Sequence, residues 1–93
     1  MYHIYILSNK TNKVLYIGIT NDIRRRINEH KSDLIDGFSK RYQTHKLVYF
    51  EEYKRPMDAI IREKQLKGLL RTKKIDLINE MNPEWQDLSE KFY

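Results

Sequence analysis

Five side chains able to do chemistry stand at informative places in this chain: Tyr5, Tyr16, Arg26, His30 and Glu63. The first two sit on extended runs. Tyr2-His3-Ile4-Tyr5-Ile6-Leu7 and Val14-Leu15-Tyr16-Ile17-Gly18-Ile19 both alternate with period two. The polar run Ser8 to Lys13 between them is rich in turn formers, so the pair reads as a β-hairpin. One face carries Ile4, Ile6, Leu15, Ile17 and Ile19 and reads as the core side. The other carries His3, Tyr5, Leu7, Val14, Tyr16 and Gly18. Phenolic hydroxyls, an imidazole and a glycine without a side chain mark that second face as the place where a substrate would approach.

Arg26 and His30 belong to the next element. Thr20-Asn21-Asp22 offers three N-caps, and a helix is predicted from about Ile23 to Leu34, broken at Asp36-Gly37. At roughly 100° per residue, Ile23, Ile27 and Leu34 define a buried stripe and His30 falls in it. Arg26 lies within about 40° of His30, at the edge of the stripe, whereas Arg24 and Arg25 point well away. The plainer alternative is that Arg26 lays its stem along the core rim and His30 is a core histidine. In a later helix Ala59, Glu63, Leu66 and Leu70 share an i, i+4, i+7, i+11 spacing, which sets Glu63 in an apolar stripe. A buried carboxylate needs a cation, a hydrogen-bond network or a metal ion. An ion pair with Lys67, one turn on, is the structural alternative.

The remaining elements complete an α+β chain. Phe38 to His45 reads as a polar connector and Leu47 to Tyr53 as a third strand, with Val48 and Phe50 on one face. Pro56 suits a helix start, and that helix is predicted over Met57 to Leu70. Another runs from Lys73 to Met81 and stops before Asn82-Pro83, because a residue preceding proline resists helical geometry. The order is ββαβαα, with a Trp85-Gln86-Asp87-Leu88 tail from about residue 82 packing back. The 93 residues are expected to form a single domain. The absence of cysteine excludes disulfides and thiolate zinc sites and suits a reducing cytosol. No signal peptide or membrane-spanning run is expected. Net charge is +5, but residues 1–75 hold 17 bases against 8 acids, +9, and residues 76–93 one base against five acids, −4. A basic body with an acidic tail suits a polyanion, nucleic acid first.

Tyr5, then Tyr16-Ile17-Gly18, Arg26, His30 and Glu63 together resemble the GIY-YIG nuclease domain over essentially the whole chain. The small single-domain branch is the nearest likeness, through Arg62-Glu63-Lys64-Gln65-Leu66-Lys67 and Asn82-Pro83-Glu84-Trp85. The resemblance implies a three-stranded antiparallel sheet, the N-terminal hairpin plus a third strand, flanked by helices. It implies an active site on the face bearing both tyrosines. By the same resemblance Arg26 holds the scissile phosphate, His30 fills a position shared by histidine and tyrosine, and Glu63 is the single carboxylate for a divalent metal, Mg²⁺ or Mn²⁺. Asn82 matches the late active-site asparagine, with Asn79 as a rival. Two departures stand out. His3 replaces the glycine that gives the motif its name, and Ile19 stands where some repair-type relatives have lysine.

The implied activity is metal-dependent endonucleolytic hydrolysis of phosphodiesters, with DNA as the substrate in single-stranded, branched or duplex form and RNA as the alternative. A permanently charged guanidinium forks onto phosphate oxygens. One carboxylate holds Mg²⁺ loosely, with waters and substrate oxygens completing its shell. The base is the demanding part. A phenol of pKa about 10 takes roughly 3.4 kcal/mol to deprotonate at pH 7.5, which a cation or His30 as acceptor must offset. The resemblance favours Tyr16 over Tyr5 for that role. The alternatives are a non-catalytic nucleic-acid-binding module whose tyrosines stack on bases, and a regulatory domain docking through its acidic tail. Acting without a second DNA-binding domain, the chain would bind through phosphates with little sequence preference. Dimerisation or a recruiting protein would then supply specificity.

Overall fold

The computed structural model describes residues 1–34 and 37–92. Strand β1 (Tyr2–Ser8) turns through Asn9 to Lys13 into β2 (Leu15–Thr20), and β3 (Lys46–Tyr53) returns on the far side of β1. The sheet is antiparallel in the order β2-β1-β3, so β2 is an outer strand and β1 the centre. The Asn9 side chain closes the hairpin by accepting from the Lys13 and Val14 amides. Helix α1 spans Ile23–Lys31, α2 Phe38–Tyr42, α3 Pro56–Gly68 and α4 Arg71–Met81, and a 3₁₀ helix covers Leu88–Phe92. The ββαβαα order is present, with the five-residue α2 added inside the segment predicted to be a connector.

Both faces of the sheet are covered. Ile4, Ile6, Ile17, Val48 and Tyr49 pack with Leu66 of α3 and Ile78 of α4, and Leu15 borders them. On the opposite face Tyr5, Leu7 and Leu47 pack with Ile23 and Ile27 of α1, bordered by Tyr16, Phe50, Leu88 and Phe92. The tyrosine face is therefore a second core under α1 and the 3₁₀ helix rather than an open surface. Burying side chains such as Leu66 or Ile27 contributes on the order of 1.5–3 kcal/mol each.

Four sequence expectations need correction. Helix α1 ends at Lys31, not Leu34: Asp33 takes a left-handed φ of 53° and the Leu34 amide reaches back to the Glu29 carbonyl, a helix-terminating pattern. Leu34 is accordingly 75% exposed and outside the buried stripe. The break expected at Asp36-Gly37 lies, at Asp36, outside the described residues. Val48 and Phe50 do not share a face. Leu7 pairs with Leu47 and Ile6 with Tyr49, leaving Val48 as the extra residue of a β-bulge that moves every later side chain to the opposite face. Finally, α3 stops at Gly68, because Leu69 is extended with ψ 150°, so Leu70 is exposed and precedes α4.

Candidate active site

Helix α1 is fixed at its start by Asp22, whose carboxylate accepts from the Arg25 amide. That cap sets the rotation of the helix, and Ile23, Ile27 and His30 all face the sheet. His30 is only 2% exposed and meets both tyrosines. Its ring centroid lies 5.7 Å from Tyr5 and 5.3 Å from Tyr16, and the two phenol rings are 6.3 Å apart. Tyr5, Tyr16 and His30 thus form one packed trio across β1, β2 and α1.

The Tyr5 hydroxyl and His30 Nε2 share a buried hydrogen bond of 3.2 Å. Burial, reinforced by the charge of Arg26, lowers His30 to about 4, so its imidazole is neutral at pH 7. In the tautomer with its proton on Nδ1 the ring accepts from the phenol at Nε2, and in the other tautomer it donates to the phenol oxygen. Burial raises the Tyr5 phenol well above its ordinary range, with Tyr16 adding to the effect. A phenol raised in this way keeps its proton at neutral pH, which does not suit Tyr5 to act as a base. Tyr16 is half-buried at the border of this cluster.

Gly18 explains why Tyr5 fits. It pairs directly with Tyr5 across the hairpin, and a Cβ at residue 18 would lie 2.3 Å from the Tyr5 hydroxyl oxygen. The space without a side chain is filled by the Tyr5 ring and is not an entry for substrate. His3, further along the same face, is buried edge-on to Phe92 at 5.4 Å, with Nε2 3.4 Å from Glu52.

Arg26 sits one turn before His30. Its Nε and Oε1 of Glu29 are buried, 3.6 Å apart, and neither makes a hydrogen bond. The two form an ion pair too long for a hydrogen bond, and a buried N–H without one costs roughly 1–3 kcal/mol. Arg26 lines a cleft of about 300 Å³ together with Tyr2, Ile19, Thr20, Asn21, Pro56 and Ile60. This cleft brings the end of β2, the side of α1 and the first half of α3 together.

Glu63 lies on α3 one turn beyond Ile60, so both occupy the same side of that helix. Its side chain is 17% exposed, and Oε1 stands 3.5 Å from Lys67 Nζ. Among the described residues no three His, Cys, Asp or Glu side chains gather as a metal cage. One hard carboxylate suits Mg²⁺, which keeps most of its waters and takes phosphate oxygens, and does not suit a fully protein-ligated ion. The donor type therefore fits the group the resemblance implied, and Glu63 is the residue that would hold it.

Asn82 stands elsewhere. It caps α4, donates through Nδ2 to the carbonyls of Val48 (3.2 Å) and Gln86 (2.7 Å), and accepts from the Gln86 amide through Oδ1. Those partners tie the C-terminal turn to β3, the outer strand opposite β2. Asn79 accepts from the Trp85 indole at 2.7 Å. Sequence reasoning did not single out Glu29, nor a cluster of Tyr49, Glu51, Tyr53 and Arg62 on the α3 side of the sheet. The period-two run Tyr49, Glu51, Tyr53 was the available signal for the second of these.

Two hairpin tyrosines thus pack against a helical histidine, one turn from an arginine that is ion-paired with Glu29. The family model described as the GIY-YIG catalytic domain matches residues 1–76, and the chain belongs to that family. Its catalytic domain is thus of nuclease type. Similar proteins are the UPF0213 proteins, a branch of small single-domain members of that family. The one from Clostridium perfringens (strain 13 / Type A) is 35% identical over 79 residues, covering 85% of this chain and 84% of its own. One from Syntrophus aciditrophicus (strain SB) is 35% identical over 83 residues, covering 88% and 93%. The solution NMR structure of a UPF0213 protein from Bacillus halodurans superimposes with a TM-score of 0.60 at 27% identity, covering 94% of this chain and 93% of that one.

Proposed function

We propose that the chain is a divalent-metal-dependent endonuclease that hydrolyses phosphodiester bonds in DNA. The observation that carries this reading is Arg26 lining a cleft one turn from His30 and its two tyrosines, its buried Nε ion-paired with Glu29 at 3.6 Å but without a hydrogen bond. Arg26 receives the non-bridging oxygens of the scissile phosphate and stabilises the charge that develops on them. Tyr16, as its phenolate, takes the proton of the attacking water, whose oxygen bonds to phosphorus as the bond to the leaving oxygen breaks; that oxygen departs with the electron pair and is protonated from solvent. Tyr5 and His30 act through Tyr16: their hydrogen bond and ring contacts hold its phenol in place. Mg²⁺ or Mn²⁺, held by Glu63, supplies Lewis-acid stabilisation of the phosphate when bound. Substrate contacts are mostly to phosphates, so binding carries little sequence preference, and a second copy or a recruiting protein supplies any specificity. The reading places the enzyme in the cytoplasm with one nuclease domain in residues 1–93.

The test is cleavage of end-labelled single-stranded, duplex and branched DNA, with an RNA control, in Mg²⁺, Mn²⁺ and EDTA. Wild-type protein is expected to cut DNA in either metal and not in EDTA. Glu63→Gln is expected to bind DNA within a few-fold of wild type and to cleave at less than about a tenth of its rate. Binding without cleavage by the wild-type chain on every substrate would favour the non-catalytic binding module.

A further inference from the structure

The α3 side of the sheet carries a polar cluster that the proposed reaction does not use. The Glu51 carboxylate accepts from the hydroxyls of Tyr49 and Tyr53 (2.7 Å for Tyr53) and from two nitrogens of Arg62, Nε at 3.0 Å and a terminal nitrogen at 3.1 Å. Glu51 is largely buried, and Arg62 about one-third exposed. Burial alone would raise the Glu51 carboxyl. Arg62 and the two tyrosines overcome that and hold it below its ordinary value, so the pair is charged at neutral pH. Three donor residues also leave the carboxylate no second orientation.

Helical angles show what this pair controls. Helix α3 buries only Ala59 and Leu66, which lie within about 20° of one another around the axis. Two apolar contacts on one line fix the distance of the helix from the sheet but resist rolling weakly. Arg62 projects about 50° to one side of that line and Glu63 about 50° to the other. Arg62 reaches β3. Glu63 shares its side with Pro56 and Ile60, which line the Arg26 cleft beside β2. Whatever roll the Arg62 fork imposes is transmitted to the carboxylate on the opposite flank.

We infer that the Arg62–Glu51 pair is a positioning device that sets the roll of α3 and so presents Glu63 to the cleft. The inference rests on the reading of Glu63 as the metal carboxylate. It makes a prediction opposite in sign to simple electrostatics. Removing the positive charge of a neighbour should tighten a cation on Glu63, whereas loss of the roll constraint should loosen it.

The experiment is Mn²⁺ binding to the full chain, followed by the electron paramagnetic resonance signal of free Mn²⁺. The proteins are wild type, Glu63→Gln, Arg62→Leu, Arg62→Lys, Glu51→Gln and the Arg62→Leu/Glu51→Gln double variant, with circular dichroism to check folding. Expected are a fivefold or greater rise in the Mn²⁺ dissociation constant for Arg62→Leu, and a smaller rise for Arg62→Lys, which keeps the charge but loses the fork. The double variant should be no worse than the single ones, since both remove one device. Unchanged or tighter binding by folded Arg62→Leu overturns the inference, as does wild-type binding by Arg62→Lys should Arg62→Leu not fold. If Glu63→Gln itself binds Mn²⁺ like wild type, the metal reading fails and the inference goes with it. If only Glu63→Gln loses the metal, the positioning role alone is wrong.

Discussion

Arg26 and Glu29 form an ion pair at 3.6 Å with neither buried atom hydrogen-bonded, whereas the Arg25 side chain is exposed and its amide donates to the helix cap. That contrast separates two arginines of equal charge. Arg26→Lys is expected to lose at least nine-tenths of cleavage, because an ammonium cannot reproduce a two-pronged grip on phosphate, while Arg25→Lys stays within twofold. Steady-state rates on one oligonucleotide decide it, and equal losses would mean the arginines act through bulk charge. His30 gives a second residue-level prediction. Its folded pKa of about 4 lies below the ordinary 6.5, so the folded state prefers the neutral ring. Stability from this source is complete above about pH 6.5, falls as pH drops through the interval, and is gone below about 4. The melting temperature of wild type should decline from pH 6.5 to 4.5, with a shallower decline for His30→Gln; parallel curves would assign the loss to other groups.

Elements position these residues through close fits that a single atom can disturb. In Gly18→Ala the added Cβ meets the Tyr5 ring at 2.3–2.9 Å, so the ring must leave its contact with His30. Overpacking of this kind costs roughly 1–3 kcal/mol, and the melting temperature and cleavage should fall together. Asn82 tests the converse. Its three hydrogen bonds to Val48 and Gln86 make Asn82→Ala a stability variant, expected to lower the melting temperature by several degrees while the folded fraction still cleaves. Lost cleavage at an unchanged melting temperature would place Asn82 in the chemistry instead. The hairpin, the proline-led α3 and the end of α4 before Pro83 were legible in sequence, because period, turn residues and proline are local signals. The Val48 bulge and the end of α1 at Lys31 were not. Both depend on one backbone adjustment, and nothing in the alternation or helical spacing of side chains records it. The trio was legible because its members lie on regular elements, where spacing fixes facing. The Glu51–Arg62 pair joins β3 to α3, and such a pairing is written in tertiary geometry alone.

The whole molecule carries its charge unevenly, and the acidic C-terminal stretch is packed against the body. Asp87 pairs with Lys31 at 2.6 Å and accepts from the Leu47 amide, while Arg24 donates to the Phe92 carbonyl at 2.6 Å. On the proposed reading the remaining basic surface binds DNA through its phosphates, and neutralised phosphates release counterions. The log–log dependence of DNA affinity on salt should therefore have a slope of a few units between about 50 and 200 mM, measured by fluorescence anisotropy. A flat dependence would remove the basic body as the binding surface. The central claim, however, is chemical: Tyr16, held by Tyr5 and His30 beside Arg26, takes the proton from water. Single-turnover cleavage under saturating Mg²⁺, followed across pH for wild type, Tyr16→Phe and Tyr5→Phe, tests it most directly. A phenolate base gives a rate that climbs with pH, because its fraction grows about tenfold per unit below a phenol's pKa of about 10. Tyr16→Phe, folded by circular dichroism, should lose the activity and the climbing limb together, and Tyr5→Phe should keep the limb at a reduced rate. A folded Tyr16→Phe protein with the wild-type rate and profile would contradict the account.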